Sequence, residues 1–170
     1  MRIPGAAWGP VRATRGSGGF SAPVPLLEAA NSIQQQSQKN LSRADWLNAR
    51  AQAEILSGNA SQQLLEDLTL GIQQHPNSVP LLFDLAAAYF KIGEINSDSN
   101  YYLQSKAALD KILQRFPSNS TALFNRALVE ERLAMRDAAT ADLTASLASE
   151  QDPAWADEAQ HRLEQLKQLR

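Results

Sequence analysis

The chain has 170 residues, 44% of them hydrophobic, a formal net charge of −2 and no cysteine. That is enough for one domain with one continuous core, and it excludes a disulfide framework, a thiolate metal site and a cysteine nucleophile. No apolar run approaches the roughly 18 residues of a membrane span, and the opening MRIPGAAWGPVRATRGSGGF lacks the compact apolar stretch of a secretory signal. Arg2, Arg12 and Arg15 all precede the first acid, Glu28, so the remainder carries about −5. That balance argues against a basic nucleic-acid-binding face. Composition assigns no compartment; the cytoplasm is only the default.

Residues 1–25 hold five of the eight glycines and four of the eight prolines. Such a stretch has high chain entropy and little to bury, which predicts a flexible leader that Trp8 and Phe20 tack loosely onto a helical domain over 26–170. Beyond Pro25 the chain is rich in Ala, Leu, Gln and Glu, with few β-branched residues, a composition that favours helix throughout. A first helix is expected over 25–38. A second, RADWLNARAQAEILS, is capped by Ser42 with Asp45 three residues on, and stops at Gly58. SQQLLEDLTLGIQQH follows and is halted by Pro76. Asn77 or Ser78 caps the next helix, which carries Pro80 in its first turn and is expected to end at Gly93. INSDSN reads as a polar loop. YYLQSKAALDKILQRF is halted by Pro117, Asn119 or Ser120 caps a helix running to about Met135, and DAATADLTASLAS is its partner. Asp152-Pro153 opens a last helix, AWADEAQHRLEQLKQL, with a polar back suited to a terminal cap.

LFDLAAAYFKIG at 82–93 and LFNRALVEERLA at 123–134 repeat one pattern 41 residues apart. Helices this short are unstable alone, and each carries an apolar stripe that only a neighbour can cover. The alternation of helix, turn, helix and proline resembles the tetratricopeptide repeat, a helix–turn–helix unit of about 34 residues. The central copy matches best, through Leu82, Leu85, Ala86, Tyr89, Gly93, Leu109 and Pro117. The first copy has Leu47, Ala51, Gly58, Leu64, Leu68, Gly71 and Pro76, and the third has Leu123, Ala127, Ala134, Ala139 and Leu143. The resemblance implies an all-α, right-handed solenoid with repeats at about 44–77, 78–118 and 119–152 and a capping helix at 153–168. The surplus over the usual repeat length is assigned to INSDSN.

A narrower resemblance rests on RGSGGFSAPVP, LLFDLAAAYFKIGE, TALFNRALVEERLAMRDAATADL and DPAWADEAQHRLEQL. These segments are similar to the repeat region of bacterial CHAT-domain proteins, caspase-like cysteine peptidases preceded by tetratricopeptide repeats. A peptidase domain carrying His and Cys would follow this region and is not contained in the sequence. What carries over is the repeat fold and an N-terminal regulatory role, with an adjoining caspase-like domain as one expected partner.

In tetratricopeptide arrays the first helices line a concave groove. The matching positions here are Phe83, Asp84, Ala87, Phe90 and Lys91, then Phe124, Asn125, Leu128, Glu131 and Arg132, with Asn48, Gln52 and Ile55 from the first repeat. Aromatic anchors beside amides and charges suit a bound peptide or helix. Phenylalanine at both Phe83 and Phe124 does not support a lysine–asparagine clamp for a terminal carboxylate. Alternatively the two rings pack against the leader or an adjoining domain.

Little else suggests chemistry. His75 and His161 lie in different repeats, where surface or capping roles are expected, and RGSGGF lacks the Gly-Lys-Ser/Thr ending of a phosphate loop. Arg126 and Glu130 form an i,i+4 pair expected on a solvated face. The sequence therefore predicts a non-enzymatic module that binds a protein or peptide segment in its groove, with no metal or cofactor. The rival readings are a helical-repeat RNA-binding protein and an enzyme with an unrecognised site.

Overall fold

The computed structural model describes residues 1–2, 28–29, 31–33, 35 and 44–168, and these are helical apart from short turns and residues 1–2. From Ala44 onward seven helices follow one another among the described residues: α1 (Ala44–Leu56), α2 (Gln62–Gln74), α3 (Val79–Asn96), α4 (Ser99–Arg115), α5 (Ser120–Arg132), α6 (Arg136–Ser149) and α7 (Pro153–Gln168). Residues 28, 29, 31–33 and 35, within the expected first helix, are also helical; the rest of that segment, the Ser42 cap, Trp8 and Phe20 lie outside the described residues. The described residues thus form an all-α fold, and no helix among them is long and apolar enough to cross a membrane.

The helix starts follow local chemistry. Ser61, Ser78 and Asn119 each accept a hydrogen bond from a backbone amide three residues on, and Asp98 accepts one from Asn100. Each satisfies an amide that the first helical turn leaves without a partner. Asp152 does the same for Ala154 at the start of α7, at 3.0 Å. Pro80 sits in the first turn of α3, where its missing N–H costs nothing.

One boundary differs from expectation, and it changes the shape of the central hairpin. Gly93 does not end α3; the helix continues to Asn96, and α4 begins at Ser99. INSDSN is therefore mostly helix, and only Ser97 and Asp98 turn the chain. The left-handed residue that closes the helix is Ser97, at φ 53°. Gly93 is instead needed for its small size: a Cβ there would lie 3.0 Å from the Tyr102 ring and 3.2 Å from Tyr101 Cβ. The surplus residues lengthen α3 and α4 to 18 and 17 residues, against 13 and 14 for α5 and α6.

Each helix packs on the next in the chain, and α1 also packs on α3. Two connected cores result. Leu47, Ala51, Leu64, Leu68, Leu81 and Ala88 form one around α1 to α3. The larger runs from Leu82 and Phe83 through Leu109, Ile112, Phe124 and Leu143 to Leu163 of α7. Ile72 and Leu85 pack against both. Ala51, Ala86 and Ala127 are fully buried, as expected of small residues at helix crossings. Beside two crossings a serine ties the paired helices together: Ser105 Oγ donates to the Ala86 carbonyl at 2.7 Å, and Ser146 Oγ to the Ser120 carbonyl at 2.9 Å.

The first and third hairpin turns both use a left-handed residue, Gly58 at φ 82° and Ala134 at φ 57°. Glycine adopts this conformation freely, whereas alanine carries a steric cost of about 1 kcal/mol. Ala134→Gly should therefore raise unfolding stability by up to about 1 kcal/mol, and Gly58→Ala should lower it by a similar amount. Urea denaturation of the two variants checks both signs.

Candidate functional site

The expected groove residues come from α1, α3 and α5. Asn48, Asp84 and Gln52 meet directly: Asn48 Nδ2 donates to Asp84 Oδ2 at 2.6 Å, and Gln52 also hydrogen-bonds the Asp84 carboxylate. Asp84 is 2% exposed. Burial pushes its pKa up to about 7, against the opposing pull of these two amides. Arg132 donates through Nε to Glu94 at 2.7 Å and places its guanidinium 5.6 Å from the Phe90 ring centroid. Glu131 accepts from Arg162 Nη1 of α7 at 3.0 Å, and burial raises its pKa. Lys91 is half-buried.

The aromatic lining is not an open surface. Phe83, Ala87, Phe90, Phe124 and Leu128 are all buried. Phe124 meets the edge of Trp155 with centroids 5.3 Å apart, and Phe90 packs on Tyr102 at 5.6 Å. Phe83, Phe90, Phe124 and Leu128 belong to the larger core. Truncating Phe83 and Phe124 would create cavities at a cost of roughly 3–5 kcal/mol each, so these rings are structural. The expected groove residue that makes a long-range polar contact with the start of the chain is Asn125.

Asn125, on α5, is 1% exposed and engages the backbone of Arg2 from both sides. Arg2 N donates to Asn125 Oδ1 at 2.6 Å, and Asn125 Nδ2 donates to the Arg2 carbonyl at 2.7 Å. The Arg2 guanidinium pairs with Glu150 in the turn between α6 and α7 and lies 4.8 Å from the ring centroid of Trp155 on α7. Met1 packs against the larger core. Its amine is buried, and that burial, followed by the nearby Arg162, lowers its pKa; Glu94, Arg132 and Lys91 also act on it. The first two residues, expected in a flexible leader, thus lie among side chains of α3, α5 and α7. The other leader residues fall outside the described ones.

Sequence reasoning reached Asn125 through the repeat register but missed Arg2, Glu150 and Trp155. Glu150 caps nothing by pattern, and Trp155 reads as an apolar residue of the terminal helix. The charge excess of the leader was the one legible hint that it could meet an acidic partner within the chain.

A second polar cluster lies across α4, α5 and α6, and it corrects the expectation of a solvated Arg126–Glu130 pair. Arg126 is bidentate to Asp142, with Nε and Nη2 at 2.6 and 2.8 Å, and donates through Nη1 to Asp110 at 2.7 Å. Glu130 is only 3.9 Å from Arg126 and 3.7 Å from Lys106. It is 2% exposed, and its Oε2 has no hydrogen-bond partner. Burial, with Asp142 adding to it, pushes the Glu130 pKa up to about 7 despite the two cations. Two cations facing three carboxylates leave the cluster one positive charge short. No set of three or more ligating side chains among the described residues could hold a metal ion.

His75 closes α2 through its backbone amide, which donates to the Gly71 carbonyl at 2.8 Å. His161 is exposed on α7, with Nε2 2.8 Å from the Gln165 amide. His75 thus follows α2, whereas His161 lies on α7. Comparison of the chain with protein-family models, characterised proteins and solved structures gives no match.

The raised pKa of Glu130 fixes the sign of a pH effect. The folded state favours the protonated acid, so this group's contribution is fully present below the ordinary value of 4.5 and is lost as pH rises through about 7. Asp84 acts in the same direction. Glu130→Gln should therefore be more stable than the parent at pH 8, and the difference should shrink towards pH 5. Thermal melts at both pH values check it.

Proposed function

We propose that this chain is a non-enzymatic peptide-binding module, a right-handed tetratricopeptide-like solenoid of three helical hairpins closed by α7. In this reading α1, α3, α5 and α7 form the concave side, and α2, α4 and α6 stand behind them. The packing of each helix on the next supports a stacked array. The large and small residues that recur as Leu47 and Ala51, Leu82 and Ala86, and Leu123 and Ala127, with Leu85 and Tyr89 completing the pattern in the central hairpin, support the tetratricopeptide type. The resemblance to the repeat region of CHAT-domain proteins makes the regulatory arm of a caspase-like peptidase the favoured context.

The observation that carries the binding function is the two-sided bond between Asn125 and the backbone of Arg2. A side-chain amide that accepts from one peptide N–H and donates to the same residue's carbonyl recognises main chain whatever its sequence. It also satisfies both backbone groups at a place where water is excluded. The mode is that of an extended segment docked by backbone contacts, with neighbouring side-chain subsites supplying specificity.

Selection from a random peptide library displayed on phage, followed by calorimetric titration of the recovered peptides, tests this. Asn125→Ala should weaken binding by at least tenfold while far-UV circular dichroism stays unchanged. Recovered peptides whose affinity is indifferent to Asn125→Ala would place the binding surface elsewhere.

A further inference from the structure

We propose that the groove contains a preformed arginine subsite, built by Glu150 and Trp155, and that the chain's own Arg2 is its resident ligand. The subsite takes an arginine in an extended peptide, with an apolar residue before it. This inference rests on the peptide-binding reading above and adds the identity of the side chain recognised.

Three features show that the subsite is built rather than incidental. Glu150 has a side chain only 4% exposed, yet it is a charged carboxylate. Although burial works against ionisation, a backbone hydrogen bond from Asp152 and the contacts with Arg2 and Ser120 hold its pKa below the usual value. Its Oε1 accepts from the amides of Gln151 and Asp152 at 3.1 and 3.0 Å, in the turn between α6 and α7. Those two bonds belong to the turn itself, so the carboxylate stays aimed with or without Arg2. Its Oε2 meets the guanidinium. Trp155, fixed by Phe124, offers its ring to the same guanidinium. A buried anion beside an aromatic face is matched by a planar, weakly hydrated cation better than by a compact ammonium.

The preceding position is apolar, since Met1 packs against the larger core. Asn125 fixes the backbone of the arginine itself. Side chain, main chain and the preceding residue are thus held by three separate elements: the α6–α7 turn with α7, α5, and the core. Because the resident belongs to the same molecule, its effective concentration is of millimolar order. An incoming peptide must displace it, so the intact chain should bind weakly and a chain with a weakened resident should bind strongly.

The test uses fluorescence anisotropy with a labelled peptide of sequence MRIPGA and the full 170-residue chain. Arg2→Ala should bind this peptide at least tenfold more tightly than the parent chain, and Arg2→Lys should fall between them. In the Arg2→Ala chain, Glu150→Gln should cost at least tenfold. Replacing the peptide's arginine by lysine should weaken binding, and replacing it by alanine should abolish it. Circular dichroism and melting of every variant verify the fold. Equal binding by parent and Arg2→Ala overturns the resident role, and equal binding of the arginine and alanine peptides overturns the subsite. If both peptides bind alike and Asn125→Ala still removes binding, the peptide groove stands and only the arginine inference falls. If Asn125→Ala leaves binding unchanged, the groove reading falls as well.

Discussion

Close approach between paired helices is the constraint on which the rest of this structure depends. Helices of 13 to 18 residues are marginal in isolation, so each must cover its apolar stripe with a neighbour. Ala51, Ala86 and Ala127 are fully buried where α1, α3 and α5 meet their neighbours. A side chain no larger than a methyl lets the backbones come near enough for Ser105 to reach across to a helical carbonyl. Packing at that density fixes the axial register of each pair. The register in turn decides which residues of α3 and α5 face the chain's first two residues.

Polar chemistry is then placed by the same geometry on two different sides. Around residues 1–2, the Asn125 amide and the Glu150 carboxylate find complementary partners in the backbone and guanidinium of Arg2. Across α4, α5 and α6 the carboxylates outnumber the cations, and burial raises the Glu130 pKa although Lys106 and Arg126 lie nearby. The first arrangement suits recognition. The second gives the array a stability that depends on pH near neutrality without needing any histidine.

Much of the fold was legible because its signals are local. Ser78, Asn119 and Pro153 announce helix starts, and the spacing of Leu82, Ala86, Leu123 and Ala127 announces the buried faces of α3 and α5. Gly93 misled for a physical reason: glycine marks a helix end when a positive φ is needed, but here it makes room for Tyr102 while the backbone stays helical. The candidate site was only half legible. Asn125 stood among the residues expected in a groove, whereas its pairing with Arg2 joins residues 123 positions apart and leaves no periodic trace. Phe83 and Phe124 looked like binding anchors because repeat register alone does not say what the adjacent helix will cover. Trp155 of α7 covers Phe124, and that contact depends on how α7 docks.

The extended hairpin of α3 and α4 shows how a pair of packed helices can change length without changing its crossing. Its surplus of about four residues per helix adds roughly 6 Å along the helix axes. The addition lies at the Ser97–Asp98 end, past the alanine crossings that set the spacing between hairpins. Reach along the axes and pitch between units are therefore separate variables in this molecule. The longer arm brings Glu94 to Arg132, 38 positions on, and carries exposed Ile95 and Leu103 at its far end. The extra length of α3 and α4 thus gives one end of this hairpin an apolar, solvent-facing tip that the shorter α5 and α6 do not match.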